Sequence, residues 1–392
     1  MNNESMRRLR RREFVRLIAA GGISAVAGPL LAHPLLTRQA AALPKPATNI
    51  LEAGKIPRSE KSLPGKFPGK VAKAHDVRSL ANNIPDPTIL DRMISRSLCA
   101  LTGATSTSQA WREFVGPEDT IGLKVNPIAG KLLSTSPTLV HVVINQLEAA
   151  GIPKKNIVIW DRRESDLHDV GFTTTNFPGI RIAGTEQKDD KGSYYDPEGK
   201  LYGERMIDRE WYYWADVEEH YDAETLPYMI NEGKHSYFSR ICTKDVTKII
   251  NIPILKNAGP SVTLCLKNLA FGSISNTSRL HKQLWAETCA EVPSFHPIRD
   301  KVVLNIVDGI KGCYNGGPEA IPEFITVFNT LLIGTDPVAV DRIGYEIILR
   351  ERLERGIQKE ESPRGGTFLA LAQKLNLGTA DRQKIDLEVI TG

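Results

Sequence analysis

The sequence predicts an α/β fold: a mainly parallel sheet with flanking helices and a long polar insertion at about residues 163–240. Two observations carry the sheet. Short apolar runs alternate with helical patterns from residue 87 onward, and in the clearest case (Thr120–Val125, a helix after Ser136-Pro137, then Ile157–Trp160) the connections suit a parallel crossover. The runs also end in polar residues, as strands of an open α/β sheet do where they meet a ligand. A third observation marks the insertion. Residues 163–240 lack both periodicities and are aromatic and turn-rich (GSYYDPEGKLYG, EWYYWADVEEHYD), which suggests a cover with a small hairpin.

The N-terminus reads as an export signal. Arg7, Arg8, Arg10, Arg11 and Arg12 precede an apolar run from Leu17 to Leu31, and Arg11-Arg12-Glu13-Phe14-Val15 resembles a twin-arginine motif. Pro29, His33 and Pro34 break the run before a membrane span accumulates, and Ala40-Ala41-Ala42 offers a cleavage site. Residues 1–42 are therefore expected to be a signal peptide, read by the twin-arginine translocase, that places the chain in the periplasm or outside the cell. Retention of the segment as an anchor is the alternative. Its seven arginines and two glutamates leave 43 cationic against 44 acidic residues in the remainder, a net of about −1. Nothing in that balance asks for nucleic acid.

Residues 43–75, rich in Pro, Lys and Gly, read as a tether, and residues 76–392 as one α/β domain. Asp86-Pro87 opens a helix through Ile89, Leu90, Met93, Ile94 and Leu98, and Ser108–Trp111 starts a shorter one. Later strands are expected at Thr247–Ile254, Val302–Val307, Thr330–Gly334 and Leu387–Ile390. Later helices are expected at Leu284–Ala290, at Val338–Arg352 after a cap at Asp336, and at Thr367–Leu375. The acidic-aromatic segment 208–222 suits a ligand groove, a lid or a contact with a protein partner.

Chemistry concentrates in Val262–Lys282, VTLCLKNLAFGSISNTSRLHK, where Lys267, Arg279, His281 and Lys282 sit among Gly, Ser and Asn. Lys124, Lys256 and Lys267 each follow or end an apolar run; converging, they would hold a carboxylate or phosphate, or depress one another's pKa. Lys267, His281 and Lys124 are the candidate catalytic groups. Lys256, Asn126, Asn268, Arg279 and Arg162 are candidate substrate contacts, with Gly316 and Gly317 as a backbone cradle for an anion. Asp161 and Asp308 end strands and are candidate ligands for a divalent metal, or a general base. Asp336 suits a helix cap at least as well, and Asp341 a pairing with Arg342 or a neighbouring loop. The five cysteines lie far apart with no CxxC spacing, so no iron–sulfur cluster is ligated locally; their number is odd, and the spacing reveals no pairing. No phosphate-loop, GxSxG or HExxH motif occurs.

Together these motifs resemble the domain-of-unknown-function family numbered 362, in its exported twin-arginine subgroup. The matching stretches are DTIGLKVN (119–126), STSP (134–137), IVIWDR (157–162), IINIPILK (249–256), VTLCLKNLAFG (262–272), RLH (279–281), IVDGI (306–310), GGP (316–318) and TDPVAVDR (335–342). Several relatives carry a ferredoxin-like module whose cysteines are absent here. The family pattern also places a histidine just after the lysine matching Lys256, where this chain has Asn257 and Ala258. The resemblance implies a fold and a motif set; the reaction expected from the residues is enzymatic work on a small anion, with non-catalytic solute or cofactor binding, or a partner-subunit role, as alternatives.

Overall fold

The computed structural model describes residues 45–218, 233–258, 261–317, 319–357 and 365–392. The expected signal peptide, residues 219–222 of the aromatic segment and Pro318 lie outside them. Residues 45–392 form one compact unit.

The expected α/β architecture is present. Twelve strands matter here: β1 (Lys70–His75), β2 (Ile121–Lys124), β3 (Ile157–Arg163), β4 (Arg181–Glu186), β5 (Ile207–Trp214), β6 (His235–Ser239), β7 (Lys248–Asn251), β8 (Ile254–Ala258), β9 (Ser261–Thr263), β10 (Val302–Cys313), β11 (Ile325–Gly334) and β12 (Asp386–Thr391). The main sheet runs β12-β1-β11-β10-β7-β2-β3-β4. All its neighbours are parallel except β11, which is antiparallel to both β10 and β1. On one face lie α1 (Pro87–Thr102), α2 (Thr107–Arg112) and α3 (Pro137–Ala149). On the other lie α5 (Cys265–Ser273), α6 (Trp285–Glu291), α7 (Pro337–Glu354) and α8 (Thr367–Lys374). A short α4 (Glu164–Asp169) follows β3.

Side-chain alternation explains the two layers. Along β3, Ile157 and Ile159 join the first core while Val158 and Trp160 join the second. A strand covered on both faces reads as a continuous apolar run, which is why these strands were legible. The helix starts are equally local. The Asp86 carboxylate accepts the N–H groups of Thr88 and Ile89, with Pro87 in the first turn, and α1 ends at Gly103 with φ of 76°. Asp336 caps α7 through Val338 and Ala339, as its position predicts.

Two expectations need correction. Residues 45–75 do not trail as a tether: Lys70–His75 is an interior strand between β11 and β12. Upstream of it, Arg299 donates to the carbonyls of Ala53, Ile56 and Pro57 at 3.1, 3.1 and 3.2 Å. The Pro- and Lys-rich flanks hid the alternation of Val71, Ala72 and Ala74, which are buried. Residues 163–240 are likewise not wholly an insertion, because β4 pairs in parallel with β3 as an edge strand of the sheet. Its sequence, RIAGTE, has too short an apolar run to be read as a strand. The small hairpin expected in this region corresponds to the antiparallel pair β5–β6.

Candidate functional site

A cleft of about 90 Å³ opens where β2 and β3 end beneath α5. Asn126, Asp161, Arg162, Lys267, Asn268 and His281, all singled out from sequence, line it together. Behind the wall sits Lys124, fully buried. Its Nζ faces three acceptors: the Val125 carbonyl at 2.9 Å, Asn268 Oδ1 at 3.0 Å, and the Asp161 carboxylate in direct contact. Three acceptors use three protons, so Lys124 is an ammonium paired with Asp161. Burial pulls its pKa down and Asp161 pulls it back up.

That ammonium sets the polarity of a buried amide chain. A donor-only partner obliges Asn268 to present Oδ1 to Lys124, so Asn268 Nδ2 turns to Asn251 Oδ1 at 2.8 Å. Asn251 Nδ2 then donates to Asn305 Oδ1 at 2.9 Å, and Asn305 Nδ2 ends on the carbonyls of Gly334 and Thr335 at 3.3 and 3.2 Å. The chain thus crosses four neighbouring strands. Asn126 Nδ2 also donates to Asn268 Oδ1, at 2.9 Å, which leaves the buried Asn126 Oδ1 without a hydrogen-bond partner on the cleft wall. An unmet buried acceptor costs free energy unless a ligand or water supplies a donor.

Lys267 is the cleft's uncompensated cation. It stands in the first turn of α5, on a helix and not in the loop that its Gly- and Asn-rich surroundings suggest. Its Nζ lies 3.3 Å from Thr263 Oγ1 and 5.8 and 5.9 Å from the ring centroids of Phe271 and Trp285, and among the described residues no carboxylate pairs with it. Burial, helped by the charge of Arg162, lowers its pKa to about 8. Lys256 lies behind it, its Nζ fully buried and without a hydrogen-bond partner, lowered to about 7 by burial and then by Lys267. The three lysines therefore do gather at one region, at two depths: Lys267 in the wall, Lys124 and Lys256 sealed behind it. Lys124 touches no ligand space and holds Asp161 and Asn268 in place.

The remaining wall carries opposite charges in near balance. Arg162 and Arg163 share Glu186, at 3.4 and 3.1 Å, and Arg162 also contacts the Thr277 hydroxyl. Asp166, which the sequence reading missed inside its supposed insertion, lines the cleft with a pKa raised by burial to about 6. His281 is exposed at the mouth. Its Nδ1 lies 3.1 Å from the Thr277 carbonyl, which can only accept, so Nδ1 carries the proton and Nε2 is left as an acceptor. Packing against the wall, then the charges of Lys267 and Arg162, lower its pKa and favour the neutral ring.

Helix α5 is held by a remote carboxylate. Asp341 of α7 accepts the N–H groups of Cys265 and Leu266 at 2.7 and 2.9 Å, so its partner is the start of α5 and not Arg342.

Four expected site residues lie elsewhere. Arg279 is fully buried and donates to the carbonyls of Ala215 and Val217 and to Ser236 Oγ, fastening the β5–β6 pair. Gly316 and Gly317 face no cleft lysine; a Cβ on Gly317 would collide with the Asn257 carbonyl, so this glycine serves close backbone packing. Asp308 lies within β10, not at its end, and accepts N–H groups from Ser136 and Ile310 in a separate cleft with Lys311. Asp161 and Asp308 thus share no site, and Asp161 is committed to Lys124. Among the described residues no three His, Cys, Asp or Glu side chains converge as metal ligands. Cys313 is buried and donates to the Asn315 carbonyl, and the described cysteines are all free thiols. Within 208–218, Tyr213 is buried with its hydroxyl 2.8 Å from Glu291, and the neighbouring aromatics are half-buried against the chain's own body.

Residues 215–346 match the model of a domain of unknown function (DUF362), about a third of the chain. That span holds Lys256, Lys267, Asn268 and His281, while Lys124, Asn126, Asp161 and Arg162 precede it. The chain matches no curated protein. A crystal structure of a Thermotoga maritima protein is similar with a TM-score of 0.36 at 9% identity, over 69% of this chain and 60% of that one. This chain thus spans less than two thirds of that neighbour.

Proposed function

We propose that this chain is an enzyme that takes a small anion into the strand-end cleft and exchanges a proton with it through Lys267. One observation carries the reading: Lys267 is the cation of the cleft whose charge nothing among the described residues neutralises. Lys124 is committed to Asp161, and the two arginines share Glu186. An entering carboxylate or phosphate completes the set, with Arg162 beside it and Asn126 Oδ1 ready for a donor. A lysine with its pKa near 8 is useful as both acid and base close to neutrality. His281 Nε2 offers a hydrogen-bond acceptor at the mouth.

Phosphate, acetate and lactate are the first probes, titrated by calorimetry against the native chain and Lys267→Met. The reading requires saturable binding that the variant loses. Equal binding by both proteins, or by neither, sinks it.

The twin-arginine-like segment at Arg11-Arg12 supports export of the chain to the periplasm. Among the described residues no helix is long and apolar enough to cross a membrane. Changing Arg11 and Arg12 together to Lys is expected to keep the protein in the cytoplasm; unchanged export would remove this proposal.

A further inference from the structure

We propose that Lys267 forms an imine with its substrate and that the substrate is a short 2-oxo acid, a carbonyl compound with a carboxylate on the adjacent carbon. This rests on the anion-binding reading and adds a covalent step to it.

Imine formation needs a lysine that is reachable, shielded from bulk water and free of a carboxylate that would hold it protonated. Lys267 meets each condition: it lines the cleft, is 8% exposed, and its Nζ has the weakly held Thr263 hydroxyl as its polar neighbour. Phe271 and Trp285 close the space around it. The second lysine is placed by the backbone. Lys256 and Thr263 are directly paired across the β8–β9 ladder, so the residue whose hydroxyl meets Lys267 stands opposite Lys256. The charge of Lys267 helps lower Lys256 to about 7, so Lys256 gives up its proton first and is mostly neutral where Lys267 titrates. The groups facing Lys267 are Lys256, Arg162 and Cys289, with Asp161, Asp166 and His281 around the same cleft. Burial and Arg162 leave a substantial neutral fraction near pH 8.

The other walls select the substrate. Arg162 can take the carboxylate. Asn126 Oδ1, whose orientation the Lys124–Asn268 contact dictates, accepts a hydroxyl such as that of a carbinolamine. A space of about 90 Å³ holds roughly six to eight non-hydrogen atoms, the size of a three- or four-carbon oxo acid. In the reaction, the neutral Nζ attacks the carbonyl carbon and the C=O π pair moves to oxygen. A proton passes from nitrogen to that oxygen, giving the carbinolamine. The remaining nitrogen proton then passes to the hydroxyl, the nitrogen electron pair forms C=N, and water leaves. Amine and carbonyl become imine and water, with no oxidant or reductant consumed.

The test incubates the full chain with glyoxylate, pyruvate or 2-oxobutyrate, adds sodium borohydride, and reads intact mass and a peptide map. Binding of the same acids is measured in parallel by calorimetry, without borohydride. We expect one adduct per chain at Lys267, trapped half-maximally near pH 8 and absent from a folded Lys267→Arg, whose guanidinium forms no such imine. A folded Lys256→Met must still be labelled at Lys267. Acids that bind without any trapped adduct, or label scattered over surface lysines, overturn the imine and leave anion binding standing. No binding by any of the three acids overturns both.

Discussion

Gly272, near the end of α5, lies flat against the Lys124 side chain, so close that a Cβ on the glycine would overlap Cε and Nζ. The buried lysine can reach Asp161 and Asn268 because this turn of α5 has no side chain. Gly272→Ala is therefore expected to destabilise the chain by roughly 1–3 kcal/mol through overpacking. It should also displace the ammonium that orients the amide chain. Denaturant unfolding of the two proteins checks it; a change below about 0.5 kcal/mol means that α5 shifts at little cost and the contact is not a constraint.

Arg279 tests whether that residue fastens the fold or meets ligand. Its guanidinium serves three acceptors at 2.8–3.1 Å on and beside the β5–β6 pair, away from the cleft. Arg279→Met should lose about 2–4 kcal/mol of stability, since it strands buried acceptors. Below its unfolding temperature the variant should bind small anions as the native chain does. Weakened binding in a fully folded variant would return Arg279 to the site.

Lys256 and Lys267 give the fold a pH dependence of known sign. Lysines ordinarily near 10.5 are held at about 7 and about 8. Between those values and 10.5 the unfolded chain binds more protons than the folded one. Their contribution to stability therefore rises with pH from about 7 to 10.5, and their full cost is felt below about 7. Lys256→Met should flatten part of this slope and raise stability near pH 7 by about 1–4 kcal/mol, since it replaces an unpartnered buried amine with an apolar chain. Melting temperature against pH, native and variant, measures both; a variant less stable than the native chain at pH 7 refutes it.

Anion binding has the opposite pH trend. It needs the ammonium form of Lys267, so affinity for phosphate or lactate should fall as pH rises through about 8. Loss of one charge-assisted contact of about 1.5–3 kcal/mol corresponds to a tenfold to hundredfold weaker complex. In Lys267→Arg the fall near pH 8 should vanish. If the affinity of the native chain stays level from pH 7 to 10, another group holds the anion.

Much of the fold was legible because the relevant interactions are local. Strand runs such as TIGLKV and IVIWD, and the caps at Asp86 and Asp336, state their structure within a few residues. Lys70–His75 and Arg181–Glu186 were not legible. The first is set by a partner at the far end of the chain, β12, and the second has too short an apolar run to declare itself without its neighbour β3.

For the site, the sequence alone determined which polar residues follow apolar runs. Asn126, Asp161 and Arg162 line the cleft because open α/β sheets put the carboxyl ends of neighbouring strands side by side, while Lys267, Asn268 and His281 reach it from α5 and the segment after it. Only the tertiary structure decided which charges are already spent. Lys124 is neutralised by Asp161 and Arg279 is consumed by carbonyls of the β5–β6 pair, whereas Lys267 keeps its charge free toward the cleft. Burial and partner distance set those outcomes, and both arise between residues as far apart as 37 and 64 positions.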